Sequence, residues 1–140
     1  LNLYIVNRNQ KNRDLMCDDL SKICQPNQTL YSLSWDEITQ YTKNLDLLVN
    51  ATSLGMKNAP EIDDLSGYFK HLKKETIIYD LVYNPIETKL ILFAKAHSLK
   101  TIDGLGMLVY QALPAFKKWF KPKGNPSFDP YLKQCLLAKL

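Results

Sequence analysis

Short apolar runs of this sequence are followed by polar, small or glycine residues, which can bind ligands through side-chain or backbone groups. Four such strings occur, at residues 7–9, 50–53, 80–83 and 103–106. The carboxyl ends of parallel strands lie at one edge of a sheet, where loops and helix N-termini converge and where ligands bind. If each apolar run is a parallel strand, the four strings form one wall of a ligand site.

Arg8 has the most specific chemistry of the first string. A dinucleotide fold that prefers NAD carries a carboxylate after its second strand, whereas a preference for NADP requires a cation for the additional phosphate. Arg8 follows an apolar run, and Lys11 and Arg13 are close behind it. A guanidinium can hold phosphate oxygens through two parallel hydrogen bonds. Taken alone, however, Asn-Arg-Asn is more typical of an exposed loop.

The third and fourth strings contain further candidate ligand contacts. Gly104 and Gly106 would let the backbone approach a ligand closely, although a strand-to-helix turn also favours glycine. Met107 and Gln111 are one helical turn apart and therefore project from the same face. The phenol of Tyr83 can either donate to a ligand or cap the sheet edge, and the sequence leaves both open.

The other titratable residues form no recognisable catalytic or metal-binding set. His71 and His97 have no partner at metal-ligand spacing. The acidic pairs at 36–37 and 63–64 are typical of helix starts. The three cysteines have neither the even number of a disulfide framework nor the spacing of a zinc site, so we expect reduced thiols.

Composition limits the class of protein. The chain has 140 residues, 46% of them hydrophobic and 23% charged, which is typical of one globular domain. The apolar runs are too short to span a bilayer, so we predict a cytoplasmic protein without a membrane partner. Lysines alternate with Trp119 and Phe120 near residues 117–123, a pattern that can contact nucleic acid, but a net charge of only +4 argues against it.

Apolar runs alternate with helical patterns, which indicates a parallel sheet with crossover helices. We predict strands at residues 3–6, 29–33, 45–50, 76–81 and 100–103. We predict helices at residues 12–23, 106–119 and 129–139, and a further helix that runs to about residue 97 and is capped by either Asn84 or Thr88. Shorter helical segments are predicted at 34–37 and just before 71. The runs at 45–50 and 76–81 are expected to be buried on both faces.

The helix predicted at 106–119 has two notable features. An apolar stripe runs along it, formed by Val109, Leu113, Phe116 and Phe120. Pro114 lies within the same pattern, and we expect it to bend the helix without breaking it.

Together the strings resemble the C-terminal, cofactor-binding part of shikimate dehydrogenases. The most specific match is Asp-Gly-Leu-Gly-Met-Leu-Val-Tyr-Gln-Ala at residues 103–112, with Phe116 and Trp119. Residues 7–8, 46–56 and 79–85, the last followed by Thr88, match in the same order and spacing. The resemblance covers nearly the whole chain. It implies an α/β fold, a Rossmann-like parallel sheet with flanking helices that lacks its first strand, plus a C-terminal helix.

The resemblance also implies an NADP site. The implied cofactor-binding residues are Asn7, Arg8, Asn9, Lys11, Asn12, Thr52, Ser53, Leu81, Gly104 and Met107. Asn7 and Arg8 would hold the adenosine 2′-phosphate. The family commonly has threonine where this chain has Asn9, and a basic residue where it has Asn12. Lys11 or Arg13 would substitute for that basic residue.

The remaining implied contacts lie nearer the reacting end of the cofactor. Thr52 and Ser53 would lie along it, Leu81 and Gly104 would contact its nicotinamide end, and Met107 would pack nearby. Two residues, Tyr83 and Gln111, would hydrogen-bond the hydroxyl or carboxylate groups of the substrate.

The family's reaction is the reversible reduction of 3-dehydroshikimate to shikimate by NADPH. The family's proton-handling lysine, its aspartate partner and the carboxylate-binding serines belong to an N-terminal substrate domain, which these residues lack. The glycine-rich turn after the first Rossmann strand is also missing. The resemblance therefore implies that residues 1–140 are an incomplete NADP-binding domain without catalytic residues, inactive alone, whose partner is the N-terminal domain of the same polypeptide.

Two alternatives stay open. A paralogue that oxidises quinate or uses NAD would carry the same strings, because Tyr83 and Gln111 do not separate the substrates. A non-catalytic Rossmann-like domain used for protein interaction is the second alternative.

Overall fold

A computed structural model describes residues 1–139, which divide into two compact units. The first unit is Leu1–Leu45 with Asp64–Lys73, and the second is Asp46–Asp63 with the chain from Lys74 onward. All strand pairs in both units are parallel, so the predicted α/β class is confirmed. The strands form one sheet of two strands and one of three, whereas the sequence analysis predicted a single sheet.

The first unit is built on two parallel strands joined by a helix. Residue Leu3 pairs with Leu30, and Tyr4 stacks on Tyr31 with ring centroids 4.8 Å apart. Ser34 caps a short helix through a reciprocal capping box with Glu37, as its spacing predicts. The elements are β1 (Asn2–Val6), α1 (Gln10–Ser21), β2 (Thr29–Leu33), α2 (Trp35–Ile38), a 3-10 turn (Thr42–Asn44) and α3 (Leu65–Phe69).

The second unit has a three-stranded sheet with helices following its strands. Ile78 on the central strand is inaccessible to solvent, as are Ala94 and Leu105 on two of the helices, so the core lies around these residues. The elements are β3 (Leu47–Asn50), β4 (Ile77–Asp80), α4 (Lys89–Ala96), β5 (Lys100–Ile102), α5 (Gly104–Phe120) and α6 (Pro130–Leu137), and the strand order is β3-β4-β5.

The prediction that residues 45–50 are buried on both faces is wrong. Leu47 is 49% exposed and Val49 is 45% exposed. Leu47 and Val49 are two residues apart and therefore lie on one face of the sheet, and within residues 1–139 that face of β3 is only partly covered. A continuous apolar run therefore predicts burial correctly for the central strand β4, where Ile78 is enclosed, but not for the edge strand β3.

Helix α5 begins two residues earlier than predicted, because Asp103 caps it by accepting a hydrogen bond from the Leu105 amide at 3.1 Å. The helix continues through Pro114, so the proline does not break it. The apolar stripe is buried only at its start. Val109 is enclosed, whereas Phe120 is 68% exposed. Within residues 1–139, every helix is too short or too polar to cross a lipid bilayer.

Candidate functional site

In the first unit, the turn after β1 is held by its own asparagines. The Asn9 amide donates to Asn7 Oδ1 at 2.9 Å, and the Asn12 amide donates to Asn9 Oδ1 at 3.2 Å, which caps α1. The side-chain oxygens are thus used within the turn, and the NH2 groups of Asn7 and Asn9 are the donors that can face a ligand. Arg8 and Lys11 are exposed on this ordered turn.

Arg13, unlike Arg8 and Lys11, is nearly buried. Its side chain is only 11% exposed, and its Nε donates to Ser32 Oγ at 2.8 Å. The Ser32 hydroxyl in turn donates to Asp14 Oδ1 at 2.7 Å. Of the two basic residues that could substitute for a cation at position 12, Lys11 is therefore the exposed one.

In the second unit, a buried network of polar side chains joins the carboxyl ends of β3 and β4. Asn50 and Asp80 are paired in the parallel register, and Asn50 Nδ2 donates to Asp80 Oδ1 at 3.0 Å. The same Nδ2 donates to the Leu54 carbonyl oxygen at 3.0 Å. Thr52 donates to Asn50 Oδ1 through both its hydroxyl, at 2.7 Å, and its amide, at 3.1 Å. The turn after β3 is thereby fixed to β4.

Asp80 also fixes the turn after its own strand. Its carboxylate accepts the Val82 amide at 3.0 Å and the Thr88 hydroxyl at 2.6 Å, and the carboxylate is inaccessible to solvent. Thr88 caps α4 by accepting from the Ile91 amide at 3.2 Å. One carboxylate therefore connects β3, the residues after β4 and the start of α4.

Asn50 and Asp80 lie in the strings predicted at 50–53 and 80–83, and Thr88 lies in the family match, but none of the three was assigned a role from the sequence. The available signal was a polar residue at the end of an otherwise apolar strand, because a polar group buried at that position needs a hydrogen-bonding partner. The partners could not be named, since Asp80 and Asn50 are 30 residues apart and meet only through the strand register.

The predicted residues of the second unit lie at the carboxyl edge of its sheet. A Cβ built on Gly104 would collide with the Leu81 carbonyl oxygen, so the first turn of α5 lies directly against the residues that follow β4. Ser53, Tyr83 and Gln111 are exposed near this edge, and Met107 is half-buried. Leu81 and Gly104, which the resemblance assigns to the same end of a cofactor, are thus in contact.

Gly104→Ala is expected to destabilise the protein by about 2–3 kcal/mol, because the added methyl group meets backbone atoms that cannot rotate away. Gly106 is the matched control on the same helix. Apart from its chain neighbours and the backbone of its own helix, no atom lies within 4 Å of a Cβ at this position, so Gly106→Ala is expected to stabilise by about 0.5–1 kcal/mol through helix propensity. Chemical denaturation measures both, and equal changes would contradict the close approach at Gly104.

Residues 1–139 contain no group of three His, Cys, Asp or Glu side chains placed to hold a metal ion.

Parallel strands joined by helices, with polar turns at their carboxyl ends, define a Rossmann-like α/β protein.

Relatives with assigned names share much of this sequence. The chain is 41% identical over 109 residues to shikimate dehydrogenase (NADP(+)) of Azorhizobium caulinodans, which is 77% of this chain and 37% of that protein. It is 38% identical over 138 residues to the enzyme of the same name from Rhodospirillum rubrum, covering 98% of this chain and 46% of the relative. No protein-family model matches the chain.

A solved structure shares the fold of nearly the whole chain. Quinate dehydrogenase from Corynebacterium glutamicum in complex with NAD superposes with a TM-score of 0.76 at 26% identity, covering 99% of this chain and 46% of that one. Along nearly its whole length, the chain matches the C-terminal part of shikimate dehydrogenases. It spans less than half the length of the relatives that it matches.

Proposed function

We propose that this chain is the NADP-binding part of a shikimate dehydrogenase, an enzyme that reversibly reduces 3-dehydroshikimate to shikimate. The observation that carries the proposal is the exposed Arg8 on a self-capped turn between the end of β1 and the start of α1. This is the position at which a Rossmann-like fold selects its cofactor.

The turn has the chemistry that a 2′-phosphate requires. The first amides of a helix have no acceptor within the helix, and the helix dipole favours a negative charge there. At α1 the cap uses the Asn12 amide, and the amides of Gln10 and Lys11 stay available. The guanidinium of Arg8 and the ammonium of Lys11 add two cations beside them. The names of the two relatives specify NADP(+).

The resemblance assigns residues of the second unit to the nicotinamide end of the cofactor and to the substrate. Thr52 and Ser53 would lie along the cofactor, with Leu81, Gly104 and Met107 at its nicotinamide end. The buried Asp80 network would hold these turns in place, so that binding does not have to order them. Tyr83 and Gln111 would donate to substrate hydroxyl or carboxylate groups. NADPH supplies the hydride, and the protein supplies orientation and a proton.

The isolated 140 residues are expected to show no shikimate-dependent reduction of NADP. The resemblance places the proton-handling lysine, its aspartate partner and the glycine-rich turn outside this chain, and general acid–base catalysis needs a positioned proton carrier. The matched measurement uses the longer polypeptide that the resemblance implies, which should be active under the same conditions. Turnover by the 140 residues alone would overturn this part of the proposal.

A second candidate function is oxidation of quinate with NAD. It is favoured by the similarity to quinate dehydrogenase in complex with NAD. A panel of shikimate and quinate with NADP and NAD, assayed on the longer polypeptide, separates the two. The third reading, a non-catalytic interaction domain, predicts that this polypeptide binds neither cofactor.

A further inference from the structure

We propose that Arg13 is a positioning residue that sets the preference of the Arg8 turn for a 2′-phosphorylated ligand without touching that ligand. The inference rests on the proposed function, because it assumes that the Arg8 turn binds a 2′-phosphate. It concerns residues of the first unit only.

Arg13 connects three parts of that unit. Its backbone lies in α1, where its amide donates to the Asn9 carbonyl oxygen at 3.1 Å. Its Nε donates to Ser32 Oγ on β2 at 2.8 Å, and its Nη1 makes a longer hydrogen bond of 3.4 Å to the carbonyl oxygen of Asn7. Asn7 and Asn9 flank Arg8, so one nearly buried side chain connects the start of α1 to β2 and to the turn that presents Arg8.

Arg13 also compensates two carboxylates in the same region. Asp14 Oδ1 lies 3.8 Å from Arg13 Nε. The pKa of Glu37 is lowered, mainly because its carboxylate accepts hydrogen bonds from Ser34, and the positive charge of Arg13 adds to the effect. Asp14 and the Asn7 carbonyl oxygen therefore both lie within 4 Å of one guanidinium.

Loss of Arg13 should affect the binding of phosphate in two ways. The turn would lose its connection to β2, so Arg8 would be less well ordered before ligand binding. The negative charge of Asp14 would then lose its neighbouring cation close to a site for a doubly charged anion. Both effects oppose a 2′-phosphate, and neither acts strongly on a ligand that lacks this group.

The test compares adenosine 2′,5′-bisphosphate with adenosine 5′-monophosphate, titrated calorimetrically into the full chain. Arg13→Met is expected to weaken the bisphosphate roughly tenfold and the monophosphate less than about twofold. Adding Asp14→Asn to Arg13→Met should recover part of the loss, because it removes an uncompensated carboxylate. Lys22→Met is the matched control, since Lys22 directly follows α1 and its ammonium pairs with exposed Asp19 at 2.7 Å. It should change neither affinity.

Arg13→Lys keeps the charge but loses the several N–H donors of the planar guanidinium. We therefore expect the affinity for the bisphosphate to fall roughly threefold. This variant also carries the test if Arg13→Met does not fold. Equal weakening of both nucleotides would assign Arg13 a structural role alone, and no weakening would show that it does not contribute to binding. Either result would overturn the inference. If Arg8→Ala leaves the bisphosphate affinity unchanged, the proposed function fails as well, and the two failures are thereby distinguished.

Discussion

Replacing Asp80 with alanine is expected to lower the free energy of unfolding by about 3–6 kcal/mol, because three buried donors lose their acceptor at once. These donors are the Asn50 amide group, the Val82 backbone amide and the Thr88 hydroxyl, at 2.6–3.0 Å from the carboxylate. The pocket left by the carboxylate is enclosed, so water cannot readily replace it. Urea denaturation followed by circular dichroism measures the change.

Controls separate this network from general effects of charge removal. Asp63 is an exposed aspartate of the same unit, and Asp63→Ala is expected to change stability by less than about 0.5 kcal/mol. The double variant Asp80→Ala with Thr88→Val should lose less than the sum of the single losses, because both remove the same hydrogen bond. An Asp80→Ala loss below about 1 kcal/mol would show that the network does not stabilise the second unit.

Replacing Arg8 with alanine is expected to weaken NADP binding by about 1.5–3 kcal/mol, or roughly tenfold to more than a hundredfold, in the longer enzyme that the family resemblance implies. The loss is that of charge-assisted hydrogen bonds to the 2′-phosphate. NAD has no such phosphate, so its affinity should stay almost unchanged. Titration of both cofactors measures the ratio directly.

Arg8→Lys is the informative partner variant. It keeps the charge but cannot form two parallel hydrogen bonds, so we expect an intermediate loss for NADP. Equal losses for NADP and NAD after Arg8→Ala would mean that Arg8 supports the fold of the turn instead of binding the phosphate.

Local features of this protein are predictable because their causes are close in the chain. Strand β2 has the predicted bounds, and the capping box at Ser34 follows from the Glu37 three residues later. At α4 the sequence leaves Asn84 and Thr88 open as caps, and the structure selects Thr88. The early start of α5 was missed because Asp103 was assigned to a strand, although it has the residue type of a helix cap.

The sequence by itself determined the parallel α/β class, the polar turns at the strand ends and the exposed Arg8 turn. Only the tertiary structure decided which residues hold those turns, because Asp80 reaches Asn50 across 30 residues and Arg13 reaches Ser32 across 19. Such pairs depend on strand register and helix position, which short-range patterns do not encode. The exposure of β3 was decided in the same way, since an apolar strand is buried only where neighbours cover it.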